Sequence, residues 1–241
     1  MTRRALALVS CLIVAAAGLV AGGSTAGRTD AGAAPGCADV HVLFARGTVE
    51  DAPPLGLTGI AFGNAVRSRL ANKSVRVEAI DYAASANFTN KLAFARTFVD
   101  GMKSAQRRVE SIATTCPRTR IVVGGYSQGA ALAGYTISSG YQIPQKYTQY
   151  SSYVPDPLPA GVAPHIAAVV EFAPPSARFI REAGAPPIQP QPVYAGRTVK
   201  YCIQGDTICN GAPLGGPNAL HLLYSVNGMA DQAADYVARH L

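Results

Sequence analysis

The chain has no tryptophan and only three methionines, and just 15% of its 241 residues are charged. So little charge beside 49% apolar residues excludes a mainly disordered polymer and leaves ample material for one large core. A basic stripe interleaved with aromatics is also missing. Lys and Arg are scattered, and the longest local cluster, Arg107-Arg108, reads as a solvated helix face, which argues against a nucleic-acid-binding surface. The cysteines form no CxxC pair and come with no HxxxH-like histidine spacing, so a zinc site is not expected. No internal repeat is visible.

An unbroken uncharged run, Ala5 to Ala21, lies directly behind Thr2-Arg3-Arg4. Small residues follow it, with Ser24-Thr25-Ala26 and Ala31-Gly32-Ala33 as cleavage contexts, so residues 1–34 read as an export signal and leader. The run is Ala-rich and barely long enough to span a bilayer, which disfavours a retained anchor. Leu8-Val9-Ser10-Cys11 faintly resembles a lipoprotein box, but too little hydrophobic sequence precedes Cys11. Removing Arg3, Arg4, Arg28 and Asp30 lowers the formal charge from +7 to about +5, enough for a mild attraction to anionic surfaces. Cys37, Cys116, Cys202 and Cys209 then remain; an even number in an exported chain suggests two disulfides, with three pairings open. Residues 35–241 are expected to form a single domain.

Apolar runs predict strands at Val40–Ala45, Val75–Ile80, Arg120–Gly125, His165–Phe172 and Thr198–Ile203. Ala95, Phe98, Met102, Ala105, Val109 and Ile112 step by three and four, which predicts an amphipathic helix over Asn90–Thr115, broken near Gly101. A small-residue helix over Gln128–Ser138 and a last helix over Leu220–Leu241 complete the pattern. The Pro-rich stretches Val154–Pro164 and Pro174–Pro192 read as surface connections. Strands alternating with helices imply an α/β/α sandwich around a mainly parallel sheet, with its site beyond the carboxyl ends of the strands.

Gly125-Tyr126-Ser127-Gln128-Gly129 matches G-x-S-x-G. A β-branched run precedes it and an Ala-rich helix follows, which is the strand–turn–helix setting of a nucleophile elbow. Ser127 would stand above a helix N-terminus, where free N–H groups favour developing negative charge. A serine hydroxyl needs a base. His41 and His165 begin strands, at the wrong edge of the sheet, and His240 ends a helix. His221 remains: it follows the flexible Gly215-Gly216-Pro217-Asn218 and opens the last helix. Among the acids, Asp206 lies just past a strand, between Cys202 and Cys209, where a disulfide would hold it in a small rigid loop; Glu171 is the runner-up.

These residues resemble the cutinase family. Four segments carry the resemblance, in the family's order: Phe44-Ala45-Arg46-Gly47-Thr48, Gly124 to Ala130, Cys202-x-x-Gly205-Asp206-x-x-Cys209, and His221-Leu222-x-Tyr224. The resemblance implies a five-stranded parallel sheet of the α/β-hydrolase type, the triad Ser127–Asp206–His221, and disulfides Cys37–Cys116 and Cys202–Cys209. It also implies an oxyanion hole from the backbone N–H groups of Thr48 and Gln128, with the Thr48 hydroxyl helping. Short apolar loops, Tyr82–Phe88 and Ala212–Leu220, would flank the site, with Leu214 and Leu220 lining an acyl groove. The expectation is a secreted monomeric serine esterase acting on lipid, polyester or small acyl esters, without metal or organic cofactor, and with peripheral contact to lipid or the cell envelope. Acyl transfer, phospholipid or thioester cleavage on the same machinery is the alternative; a non-catalytic surface binding protein is a third.

Overall fold

The computed structural model describes residues 36–241. The expected export signal and leader, with Cys11, lie outside the described residues. Five strands, β1 (Val40–Ala45), β2 (Val75–Ala79), β3 (Arg120–Tyr126), β4 (Ile166–Phe172) and β5 (Thr198–Tyr201), form one sheet in the order β2-β1-β3-β4-β5. Every pairing is parallel; Val42 lies opposite both Val77 and Val122. All residues of β1 and β4 are buried. This is why they read as unbroken apolar runs: a parallel sheet with both faces covered has no solvent side on which to alternate.

On one face lie α2 (Lys91–Thr115), α3 (Gln128–Thr136) and the short α4 (Ala177–Glu182), which bury Met102, Val109, Ile112, Leu132 and Ile180 against Leu43, Ile121, Val123 and Val169. On the other lie α1 (Gly56–Arg69) and α5 (Met229–Ala238), over Val42, Phe44, Val122, Val170 and Phe172. The rings of Phe44, Phe62 and Phe172 meet there at 5.5–6.2 Å. Truncating any one of them to Ala would cost about 3–5 kcal/mol. The architecture is the expected three-layer α/β/α sandwich. Among the described residues no helix is long and apolar enough to cross a membrane.

The sequence pattern misses α1 for a physical reason. Beside Phe62 and Val66, its sheet-facing side carries two glycines: a Cβ on Gly59 would stand 2.6 Å from the Phe44 ring, and one on Gly63 3.0 Å from Val77. Glycines let the helix lie close to β1 and β2, and they erase the apolar periodicity that would announce it. Gly101, expected to break α2, lies within an unbroken helix; a Cβ there would meet Tyr82 at 2.6 Å and Leu132 at 2.7 Å, so the glycine serves close packing. The expected last helix over Leu220–Leu241 is two pieces: a 3₁₀ turn at Ala219–Leu222 and α5, separated at Gly228, whose φ of +84° suits glycine. Likewise β5 stops at Tyr201, and His165 belongs to a 3₁₀ segment, Ala160–His165, ahead of β4.

Candidate active site

The carboxyl ends of β1, β3, β4 and β5 share one edge, where three connections meet: the turn after Ala45, the elbow after Tyr126 and the loop after Tyr201. At the elbow, Ser127 has φ +54° and ψ −116°, a conformation that non-glycine residues rarely hold. Its N–H donates to the Phe172 carbonyl (2.9 Å), which anchors the elbow to β4. Both flanking glycines are required. A Cβ on Gly125 would stand 2.1 Å from the Gly129 carbonyl oxygen, and one on Gly129 2.0 Å from that of Ala45. Helix α3 therefore starts directly against the end of β1.

The chain then brings His221 and Asp206 to this serine. His221 Nε2 is 2.9 Å from Ser127 Oγ, and His221 Nδ1 is 2.9 Å from Asp206 Oδ2 and 3.1 Å from Oδ1. Asp206 is fully buried and His221 nearly so. The carboxylate is satisfied on both oxygens: Ile208 N–H donates to Oδ1 (3.0 Å) and the Tyr224 hydroxyl donates to Oδ2 (2.7 Å). Tyr224 accepts in turn from Ile203 N–H (2.9 Å). Burial above all, then the neighbouring carboxylate, raises the Tyr224 hydroxyl far above its ordinary value, so it stays a donor.

The Asp206 loop is closed by the Cys202–Cys209 disulfide, turned by Gly205 at φ +91°, and tied down by Asn218 Nδ2 on the Gly205 carbonyl (2.8 Å). The second disulfide, Cys37–Cys116, joins the entry to β1 with the end of α2. These are the two pairings that the family resemblance implies. His221 rides on the 3₁₀ turn, its carbonyl held by the Tyr126 hydroxyl (2.5 Å) and its ring 5.1 Å from that of Tyr126. Tyr126 and Tyr224 are thus site residues that sequence reasoning quoted within motifs without assigning them a role.

The other named residues fall as follows. Thr48 lies in the turn after β1, and Gln128 is buried at the start of α3 with its side-chain amide donating to the Ser85 carbonyl (3.0 Å). Among the described residues, the backbone N–H groups of Thr48 and Gln128 donate to nothing. Leu214 is half-exposed and its N–H donates to Glu182 (2.7 Å); Leu220 lies over Gly205. In the loop after β2 and the start of α2, Phe88 packs on Phe94 and Phe94 on Phe98, at 5.1 and 6.2 Å, and Phe98 meets Tyr135 of α3 at 5.6 Å. Glu171, the alternative acid, is buried on β4 beside Lys200 (3.4 Å) and Gly134 and has no bond to His221. Burial pushes its carboxyl up to about 7. His41 is bound to Glu78 (3.0 Å), and His240 lies against the Tyr236 carbonyl at the end of α5.

A hydroxyl, an imidazole and a carboxylate in this order can move a proton from Ser127 to His221 while Asp206 holds the ring. Comparison with known proteins gives the same direction. The cutinase family model matches residues 36–241. The chain is 42% identical to "Probable carboxylesterase Culp7" of Mycobacterium tuberculosis over 174 residues, covering 72% of this chain and 89% of that one. It is 38% identical to "Phospholipase Culp4" of the same organism over 210 residues, covering 87% and 81%. Among solved structures, Trichoderma reesei cutinase in complex with a phosphonate inhibitor superposes with a TM-score of 0.61 at 28% identity, covering 84% of this chain and 76% of that one.

Proposed function

The chain belongs to the cutinase family, and we propose that this carboxylic ester hydrolase works through a Ser127–His221–Asp206 triad and an acyl-enzyme on Ser127. The observation that carries the reading is the unbroken hydrogen-bond chain from Ser127 Oγ through His221 to the buried Asp206 carboxylate. In acylation, Ser127 Oγ attacks the ester carbonyl as His221 Nε2 takes its proton. The carbonyl oxygen becomes an oxyanion, received by the free N–H groups of Thr48 and Gln128; each such donor is typically worth about 3–4 kcal/mol of barrier lowering. His221 then gives its proton to the leaving alkoxide. In deacylation the same nitrogen takes a proton from water as its oxygen attacks the acyl carbonyl; the acyl–Oγ bond then breaks, His221 returns the proton to Ser127 Oγ, and the acid leaves. Asp206 keeps the proton of the resting imidazole on Nδ1, so that Nε2 faces Ser127 as an acceptor.

The substrate class we propose is a lipid, polyester or small acyl ester. The likeness to a carboxylesterase and to a cutinase supports it, and we assign the expected acyl groove to the exposed Leu214 and to Leu220. Two disulfides among the described residues support an exported protein, since such bonds persist in oxidising compartments. The likeness to a phospholipase keeps glycerophospholipid esters as a second reading of the same site. A series of p-nitrophenyl esters from short to long acyl chains, beside phosphatidylcholine vesicles and Ser127→Ala, tests both. Hydrolysis of simple esters lost in Ser127→Ala supports the reading. Esterase activity that survives Ser127→Ala removes the nucleophile and the reading with it.

A further inference from the structure

We propose that Glu50 is the positioning residue of the oxyanion turn: its carboxylate grips Gly47 N–H, in the peptide just before the one that carries the Thr48 N–H, and so holds that donor at the site. The inference rests on the catalytic reading above and adds a residue to it. Its basis is a convergence of bonds on one residue, two to its carboxylate and one from its backbone N–H. Glu50 Oε2 accepts from Gly47 N–H (2.7 Å), and Oε1 accepts from Thr58 N–H (2.8 Å) in the first turn of α1. The Glu50 backbone N–H donates to the Gly47 carbonyl (3.3 Å). That carbonyl and the Thr48 N–H are the two ends of one planar trans peptide, so they point in opposite directions. Holding the carbonyl toward Glu50 aims the Thr48 N–H away from it.

The surroundings are shaped around this carboxylate. Gly56 has φ +77°, and a Cβ there would stand 2.2 Å from Glu50 Oε2. A Cβ on Gly47 would stand 2.6 Å from the ring of Tyr126, the same ring that packs on His221. The other braces of the turn grip its ends: the Tyr82 hydroxyl donates to the Arg46 carbonyl, Arg46 Nη2 to the Ala83 carbonyl, and Val49 N–H to the Ala84 carbonyl. Among the described residues Glu50 alone hydrogen-bonds Gly47, by its carboxylate to the N–H and by its backbone N–H to the carbonyl, and it ties this segment to a helix packed on the sheet. A charged acceptor suits the task, because bonds from N–H to carboxylate are shorter and stronger than those to neutral groups.

The test is Glu50→Gln. A glutamine oxygen can accept from one of the two N–H groups, and its NH₂ then faces the other as a second donor. The expected result on a p-nitrophenyl ester is a kcat lower by about ten- to a hundredfold, part of the loss that follows removal of a whole oxyanion donor. KM should stay within about twofold, and the rate of inactivation by a fluorophosphonate should fall with kcat, because its phosphoryl oxygen uses the same donors. Glu50→Asp, which keeps the charge but reaches only one donor, should fall between, and it serves as the readout if Glu50→Gln does not fold. A lower melting temperature with unchanged kcat and inactivation rate would mean that Glu50 only caps α1, and would overturn the inference. A rise in KM at constant kcat would overturn it too. Ser127→Ala in parallel separates the levels: if it stays active the catalytic reading itself fails, whereas an inactive Ser127→Ala beside a normal Glu50→Gln sinks the Glu50 role alone.

Discussion

Asp206→Asn changes one oxygen to an NH₂ and leaves the volume of the side chain almost unaltered, yet the bonds around it predict a near-complete loss of turnover. Ile208 N–H donates to Oδ1 at 3.0 Å from a fixed backbone position, and a backbone donor cannot become an acceptor. The asparagine oxygen must therefore stay at the Oδ1 position, and the NH₂ takes the place of Oδ2. There it faces the Tyr224 hydroxyl, which can rotate and accept, and His221 Nδ1 at 2.9 Å. Nδ1 must then accept as well, which moves the imidazole proton to Nε2, pointing at Ser127 Oγ. In that tautomer Nε2 donates and cannot take the serine proton. The same substitution in a triad of this geometry lowers kcat by about 10⁴, or roughly 5.5 kcal/mol of barrier. The fold should persist, because the Cys202–Cys209 disulfide and the Asn218 bond to the Gly205 carbonyl still hold the loop. The assay is p-nitrophenyl butyrate hydrolysis at neutral pH, with circular dichroism and thermal melting as controls. Activity within tenfold of the parent in a folded Asp206→Asn protein would refute the tautomer argument and remove Asp206 from the triad.

Three further outcomes are expected. Protonated His221 cannot accept from Ser127, so kcat/KM should fall in acid with the slope of a single proton and level off toward alkaline pH, unchanged by a chelator; a profile flat down to pH 4 in folded protein would exclude His221 as the base. Glu171 is held protonated by burial: its carboxyl sits at about 7 against 4.5 for an ordinary one. A raised value means that stability is full below the unfolded value and is lost as pH rises through the folded one. Glu171→Gln should therefore match the parent near pH 4 and gain stability above pH 7, by about 3 kcal/mol at most; equal melting temperatures at pH 8 would contradict this. Opening the eight-residue Cys202–Cys209 loop with Cys202→Ser and Cys209→Ser should cost about 2–3 kcal/mol. Because Asp206 sits inside that loop, esterase activity should drop below the melting transition too, and full activity in the folded variant would show the loop to be rigid without its disulfide.

What the sequence reveals of this fold depends on what each element packs against. Strands buried on both faces, such as Val40–Ala45 and Ile166–Phe172, announce themselves as apolar runs, and with the less buried edge strands β2 and β5 and the intervening helices they define the sandwich. The amphipathic α2 is legible for the same reason, down to Asn90, which caps it by accepting from Ala93 N–H (3.0 Å). Helix α1 is not, because Gly59 and Gly63 meet the sheet by having no side chain at all. The residues with chemistry, Ser127, Asp206 and His221, could be named from motif context and elimination, and the structure draws them into one hydrogen-bonded chain. Their supports could not. Glu50 has backbone N–H groups as its partners, brought to it by a turn with a left-handed glycine, and no spacing of side chains encodes that. Tyr224 was visible only as a letter in a pattern; its bond to Asp206 depends on the loop between them folding back.

The central claim, that Ser127 is the nucleophile of an acyl-transfer cycle, is tested most directly by locating a covalent adduct. The protein would be treated with a fluorophosphonate, assayed for residual p-nitrophenyl ester hydrolysis, digested and mapped by mass spectrometry. One phosphonyl group per chain is expected, on Ser127, with loss of hydrolysis in proportion to labelling. A protein that hydrolyses esters while remaining unlabelled, or that carries its inactivating adduct on another residue, would contradict it.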